Sequence, residues 1–269
     1  VKDGILQSKR GATVQAAHTW DQLTYDPEIK ALVWLTAWNI AANLEKVGLL
    51  EQWKKENRHA VPLWGYYPET NTWKPLGVGQ NPTRADNASL LCYIPELHGT
   101  IRYGKWDYKT FLWDNRTDKW SLFCAQPAAG QGPGDEMLSC YDAKHKVVVA
   151  LSSNSSGQWK GGSTHHFDPV AKSWVQTVMV KAVDWETGKM PAAQDMNAVM
   201  GSDPVSGDCI LFANDKETFG FWSYDAGTRQ WTRLSPRGEM PQADQRRGYN
   251  GYFDPARNVF VLFKNTLCT

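Results

Sequence analysis

The 269-residue chain has almost no surplus of charge: 29 Lys and Arg stand against 28 Asp and Glu, a formal net charge of +1. Proteins that bind nucleic acid or anionic membranes use a cationic field to draw phosphate in, so neither is an expected partner. No apolar run reaches the roughly 18 to 20 residues a spanning helix needs, and Val1-Lys2-Asp3-Gly4 has no secretion-type apolar core. Membrane insertion is therefore not expected. Cysteine is sparse and odd in number, at five. Cys92, Cys140 and Cys209 fall inside apolar, strand-like runs, where a thiol serves as a small core residue rather than half of a disulfide framework. Enzyme signatures are also missing. Six His are present, but there is no His-Glu-x-x-His, no paired Cys-x-x-Cys, no carboxylate-rich calcium loop and no Gly-x-Ser-x-Gly elbow. No metal and no cofactor is expected.

What the chain does have is 14 Trp, 22 Gly and 14 Pro, a composition of short strands, many turns and a recurring aromatic packing position. An eight-residue pattern that opens on an aromatic and closes on Trp occurs four times: Tyr66-Tyr67-Pro68-Glu69-Thr70-Asn71-Thr72-Trp73, then Trp113 to Trp120, Phe167 to Trp174 and Tyr224 to Trp231. Its middle is built from Asp, Pro, Asn, Thr and Gly, so each octet reads as strand, tight turn, strand. The closing Trp residues are 47, 54 and 57 positions apart, a blade-sized period.

A second pattern alternates with the octets. Tyr25-Asp26-Pro27, Tyr93-Ile94-Pro95, Tyr141-Asp142-Ala143, Ser202-Asp203-Pro204 and Phe253-Asp254-Pro255 each lead into an apolar run such as Val147-Val148-Val149-Ala150-Leu151. A strand apolar on both faces belongs inside a packed assembly. Two hairpins per period make a four-stranded antiparallel sheet, and sheets of this kind bury their faces by stacking on their neighbours. The expectation is an all-β chain forming a β-propeller of four-stranded blades, one domain over 1–269.

The octet and the aromatic-Asp-Pro hairpin at this spacing resemble Kelch repeats, as in galactose-oxidase-like propellers, over about residues 18 to 263. The chain departs from that pattern in lacking a Gly-Gly doublet after the second strand, where it has Trp38-Asn39, Gly104-Lys105, Ser153-Asn154, Asn214-Asp215 and Lys264-Asn265. The resemblance implies a divergent Kelch-like group and a ring of five to seven blades. Five repeats are visible, the last incomplete: either residues 1–15 supply a closing strand for a compact five-blade ring, or the ring is larger and continues into flanking sequence, and the second is the preferred reading. The set of Tyr, Cys and His that a copper-radical oxidase of the resembled fold requires has no counterpart that can be placed in this sequence.

Antiparallel strand order puts the Asp-Pro turns and the octet turns at one end, and every longer connection at the other. Loops on a rigid scaffold are where binding residues concentrate. Before the innermost strands, that loop face carries His18, Trp20 and Asp21, then Arg84, Asp86 and Asn87, then Glu136, then Asp195 and Asn197, then Arg246, Arg247, Tyr249 and Asn250. After the second strands stand Trp38 and Asn39, Asn154, Asn214 and Asn265, with Trp106 nearby. Amides, carboxylates and aromatic rings together suit a sugar, which has an apolar C–H face and a polar edge. In residues 39–58, Ile40, Leu44, Val47, Leu50 and Trp53 recur at helical spacing, an amphipathic insertion in the first blade.

The expected function is a binding module, extracytoplasmic or secreted, recognising carbohydrate or a protein partner through the loop face. The alternative is a carbohydrate-active enzyme of lyase or epimerase type on acidic sugars, with His18 as base beside Arg84, Arg246, Arg247 or Tyr249. His98 and His145 fall in the opposite turns, and strand alternation sends His165 and His166 to opposite faces.

Overall fold

The computed structural model of the chain describes residues 21–35, 45, 46, 48, 51, 63–78, 89–104, 108–125, 132–153, 161–181, 198–215, 218–239 and 249–264. They form two compact units, Val1–Gln126 and Pro127–Thr269. The fold is a β-propeller of antiparallel sheets. Of the 39–58 insertion, Glu45, Lys46 and Glu51 have helical backbone, and the remainder lies outside the described residues apart from Gly48. Residues 1–15 lie outside them too.

The first unit contains two sheets. One runs β1 (Leu23–Asp26), β2 (Ala31–Leu35), β3 (Leu63–Tyr67), β4 (Thr72–Leu76), and the next runs β5 (Ser89–Ile94), β6 (Gly99–Gly104), β7 (Thr110–Asp114), β8 (Lys119–Cys124), each in sequence order. The second unit contains three. They are β9 (Asp135–Asp142), β10 (Val147–Ser153), β11 (Gly161–Asp168), β12 (Ser173–Lys181); then β13 (Val199–Ser202), β14 (Cys209–Asp215), β15 (Thr218–Asp225), β16 (Gln230–Leu234); and finally the pair β17 (Tyr249–Asp254) and β18 (Val259–Lys264).

Each octet closes on itself. Its opening aromatic and its closing Trp are directly opposed across the last two strands of the sheet: Tyr66 with Trp73, Trp113 with Trp120, Phe167 with Trp174, and Tyr224 with Trp231. Three of these pairs share one tilted geometry, with ring centroids 5.0, 5.1 and 4.8 Å apart at interplanar angles of 40°, 40° and 41°. Such pairs add about 0.5 to 1.5 kcal/mol beyond the area they bury. This explains why the sequence repeats an aromatic and a Trp at this spacing and little else.

The turns repeat as closely. Among the described residues, eight of the nine hairpin turns span four residues, and the last of the four is left-handed: Lys30, Asn71, His98, Asp118, Lys146, Lys172, Arg229 and Asn258, at φ between 49° and 59°. A non-glycine residue there costs on the order of 1 kcal/mol. The aspartate at the head of six turns offsets that cost, its Oδ1 accepting the N–H groups two and three residues on. Asp26, Asp114, Asp142, Asp168, Asp225 and Asp254 do so over 2.7 to 3.3 Å. The side chain substitutes for a missing backbone acceptor and sets the turn before the second strand pairs.

Sheets stack face to face within each unit. In the first, Val33, Leu35, Leu63 and Leu76 meet Leu91 and Trp113. The lead-in to β1 forms a parallel bridge with β5 through Asp21 and Leu90, and the Leu91 N–H donates to the Asp21 carbonyl at 2.7 Å. In the second unit, β13 lies beside both β9 and β17. Cys140, Val149 and Leu151 pack on Cys209, Leu211, Trp222, Tyr224 and Trp231, and Phe212 and Val199 pack on Tyr249. Cys92, Cys124, Cys140 and Cys209 are free thiols buried in these layers. Among the described residues, no helix is long and apolar enough to cross a membrane.

Candidate functional site

The two ends of each sheet differ in kind. At one end lie the nine turns. At the other lie the connections of irregular length: 36–62, 77–88, 105–109, 125–134, 154–160, 182–198, 216–217 and 235–248. The turn end is stitched between neighbouring sheets. Asn115 after β7 donates from Nδ2 to Asp26 Oδ2 at 2.8 Å and to Glu28 Oε2 at 3.2 Å, and Glu28 Oε1 meets His98 Nδ1 at 2.7 Å. The hydrogen bond from His98 is the main reason the Glu28 carboxyl sits below the usual carboxylate range. In the second unit, Lys144 Nζ reaches the Ser206 carbonyl at 3.0 Å. His145 Nδ1 bonds Asp142 Oδ2 at 2.7 Å, where the Asp142 side chain is wholly buried. The turn residues thus spend their polar groups on one another.

Of the residues singled out at the loop end, Asp21 is half-buried and held by its bridge to Leu90. Glu136 and Asn214 lie within β9 and β14 rather than in the flanking loops, because both strands run on beyond their apolar runs. Tyr249 begins β17, is buried, and meets the Phe212 ring edge-on at 5.1 Å, while its neighbour Asn250 is exposed. His18, Trp20, Trp38, Asn39, Arg84, Asp86, Asn87, Trp106, Asn154, Asp195, Asn197, Arg246, Arg247 and Asn265 lie outside the described residues.

Between the third and fourth sheets lies a polar chain that pattern reading missed. His166 on β11 and Tyr224 on β15 are both buried, with Nε2 and the phenol oxygen 2.9 Å apart. Tyr224 is in turn 2.9 Å from Thr177 Oγ1, whose hydroxyl donates to the Thr164 carbonyl at 3.1 Å. Thr177 is the extra residue where the β11–β12 register shifts, and the bulge gives it that position. One proton per hydroxyl fixes the direction of every link: His166 Nε2–H donates to Tyr224, Tyr224 to Thr177, and Thr177 to the carbonyl. Trp231 Nε1 donates to Thr164 Oγ1 at 2.9 Å. Burial, with the positive Arg229 nearby, pushes His166 down to about 4, and burial pushes Tyr224 up to about 12. The chain is therefore neutral at pH 7, and its Nε2 and hydroxyl protons are committed to links that join the two sheets. The signal for it was present in Thr164 and His166, two residues apart on one face, opposite an octet that opens with Tyr rather than Phe.

His165 points to the other face, is 1 % exposed, and finds no hydrogen-bond partner for either ring nitrogen among the described residues. Burial lowers it to about 4. Arg102 on β6 is likewise buried, and its guanidinium occupies the space that a Cβ at Gly104 would fill. Among the described residues, no group of three or more His, Cys, Asp or Glu is placed to hold a metal ion.

No protein-family model matches the chain, and no characterised protein matches it in sequence. Solved structures do resemble it. An auxiliary nutrient binding protein from Bacteroides ovatus aligns over 93 % of this chain and 58 % of its own, at 8 % identity and a TM-score of 0.52. One of the same description from Bacteroides thetaiotaomicron aligns over 89 % of this chain and 55 % of its own, at 10 % identity and a TM-score of 0.51. This chain spans a little over half the length of each. At such identities the likeness speaks for the fold, a β-propeller, and not for a shared activity.

Proposed function

We propose that the chain is a Kelch-like propeller binding module, extracytoplasmic, that recognises carbohydrate or a protein partner with its loop face. The observation that carries this reading is the division of labour between the two ends. Among the described residues the turn end is short, of one length in eight of nine turns, and hydrogen-bonded to itself, while the longer connections attach at the other end, where the sequence reading puts the amides, carboxylates and Trp residues named above. Two structural neighbours described as nutrient-binding proteins support a binding role. Kelch identity rests on the octet and its constant ring geometry.

In this reading, Trp20, Trp38 and Trp106 stack on the ligand, and Asp21, Asn39, Asp86, Asn87, Glu136, Asn154, Asp195, Asn197, Asn214, Asn250 and Asn265 supply polar contacts. A glycan array run beside turnover assays on uronic-acid polymers tests it. Retention of a glycan without turnover supports the module. Turnover lost in His18→Ala but kept in His98→Ala replaces it with the enzyme, His18 acting with Arg84, Arg246, Arg247 or Tyr249.

A further inference from the structure

Three of the six His belong to the third sheet: His145 in its β9–β10 turn, and His165 and His166 on β11. His145 and His166 face the fourth sheet. His145 has its Nε2 edge against Gly227 of the β15–β16 turn, where an added Cβ would lie 2.8 Å from it. His166 is buried, with Nε2 on the Tyr224 phenol. The charged groups around His166 come from both sheets: Asp142 and His145 from its own, and Arg229, at the end of the β15–β16 turn, from the other. Asp142 spends Oδ1 on the Lys144 and His145 N–H groups and Oδ2 on the His145 ring. Asp225, beyond Tyr224, caps its own turn. The rest of the boundary is apolar, Cys140, Val149 and Leu151 lying against Cys209, Leu211 and Trp222. A proton added to His166 therefore makes a cation that is cut off from water and set near a second cation, Arg229. The first unit differs. There His98 has a side chain 44 % exposed and is bonded to Glu28, so protonation leaves it with both water and a carboxylate.

We propose that the boundary between the third and fourth sheets is an acid-opened seam: proton uptake by His166 parts the two sheets and exposes Cys140 and Cys209, while the first unit stays closed. The neutral imidazole is content with its link to Tyr224, whereas the imidazolium needs hydration that only parting provides. The closed seam holds His166 at about 4, and the opened one returns it to about 6.5. Opening therefore gains up to about tenfold per pH unit as the pH falls through that window, and nothing above it. The device works the same way whatever the loop face binds.

The two thiols report the seam directly, because both are free and buried in it. The full chain is pulsed with dithiodipyridine, which reacts with thiols in mild acid, and the labelled peptides are read by mass spectrometry against Cys92 of the first unit. Cys140 and Cys209 are expected to label together, faster relative to Cys92 by on the order of tenfold or more at pH 4.5 than at pH 6. His166→Gln, whose amide donates to Tyr224 without titrating, abolishes the acceleration, and His165→Leu, on the other face of β11, keeps it. In the parent chain the imidazole nitrogen resonances of His166 titrate over the same pH range as the labelling, a readout that survives if the Gln variant fails to fold. The proposal is overturned by Cys92 accelerating in step with Cys140, which is global unfolding, by labelling of Cys140 and Cys209 that ignores pH, by acceleration that persists in His166→Gln, or by a His166 titration outside the labelling range.

Discussion

His166 Nε2 and the Tyr224 phenol oxygen lie 2.9 Å apart across the boundary between the third and fourth sheets, both side chains buried. That pair, with His165 on the opposite face, makes stability depend on pH. Both histidines are held down to about 4 in the folded chain, against about 6.5 when unfolded. The unfolded chain takes up protons first as the pH falls, so stability is full above about 6.5 and is lost as the pH drops toward 4. Each histidine contributes a loss on the order of 3 kcal/mol across that window. Urea denaturation between pH 7.5 and 4.5 checks this. His165→Leu flattens the dependence by about one proton and keeps most of the stability at pH 7.5, because the apolar side chain removes the cost of burying the imidazole.

Phe212 and Phe263 hold the same register in consecutive sheets, with 0 % and 51 % exposure. Phe212→Ala therefore opens a cavity and costs about 3 to 5 kcal/mol, whereas Phe263→Ala costs under about 1 kcal/mol. Thermal or chemical denaturation of the two variants compares identical chemistry in two environments.

The turns give a pair of opposite sign. Lys172 is left-handed at φ 52°. Lys172→Gly removes that strain and raises stability by up to about 1 kcal/mol, while Lys172→Val lowers it by 1 kcal/mol or more, a β-branched residue being the poorest fit there.

Asp26 accepts two backbone N–H groups and the Asn115 amide while fully buried, whereas Asp168 caps its own turn. Asp26→Ala is expected to cost about 2 to 3 kcal/mol, because it removes the link to Asn115 on the neighbouring sheet as well as the turn contacts, and Asp168→Ala about 1 kcal/mol. Equal losses contradict the stitching of neighbouring sheets at the turn end.

The architecture was legible because it is periodic. An aromatic and a Trp seven positions apart must face each other once the turn between them has four residues, so Tyr66 and Trp73 report both strands and their register. Asp at the head of a turn was readable for the same reason. The left-handed residue four positions later was not, since Lys30, Arg229 and Asn258 have no side-chain chemistry in common. The β11–β12 bulge at Thr177 was invisible too: one extra residue leaves the hydrophobic pattern intact while re-aiming a hydroxyl. The strand-like run from Val259 to Phe263 implies burial on both faces, yet one face is bare, because burial depends on a neighbour that a strand's own sequence does not encode. The loop-face candidates, read from residue type and register, bear on a different question, namely which end of the sheets meets a ligand.

That polarity is best tested with bulky maleimide labels placed at either end of the sheets. Asn250→Cys carries the label at the loop end and Val170→Cys at the turn end, where Val170 is 89 % exposed, with the labelled parent chain as control. Retention on a glycan array is expected to be lost with the label at 250 and unchanged with the label at 170. Loss at 170 with retention intact at 250 would contradict the assignment of binding to the loop face.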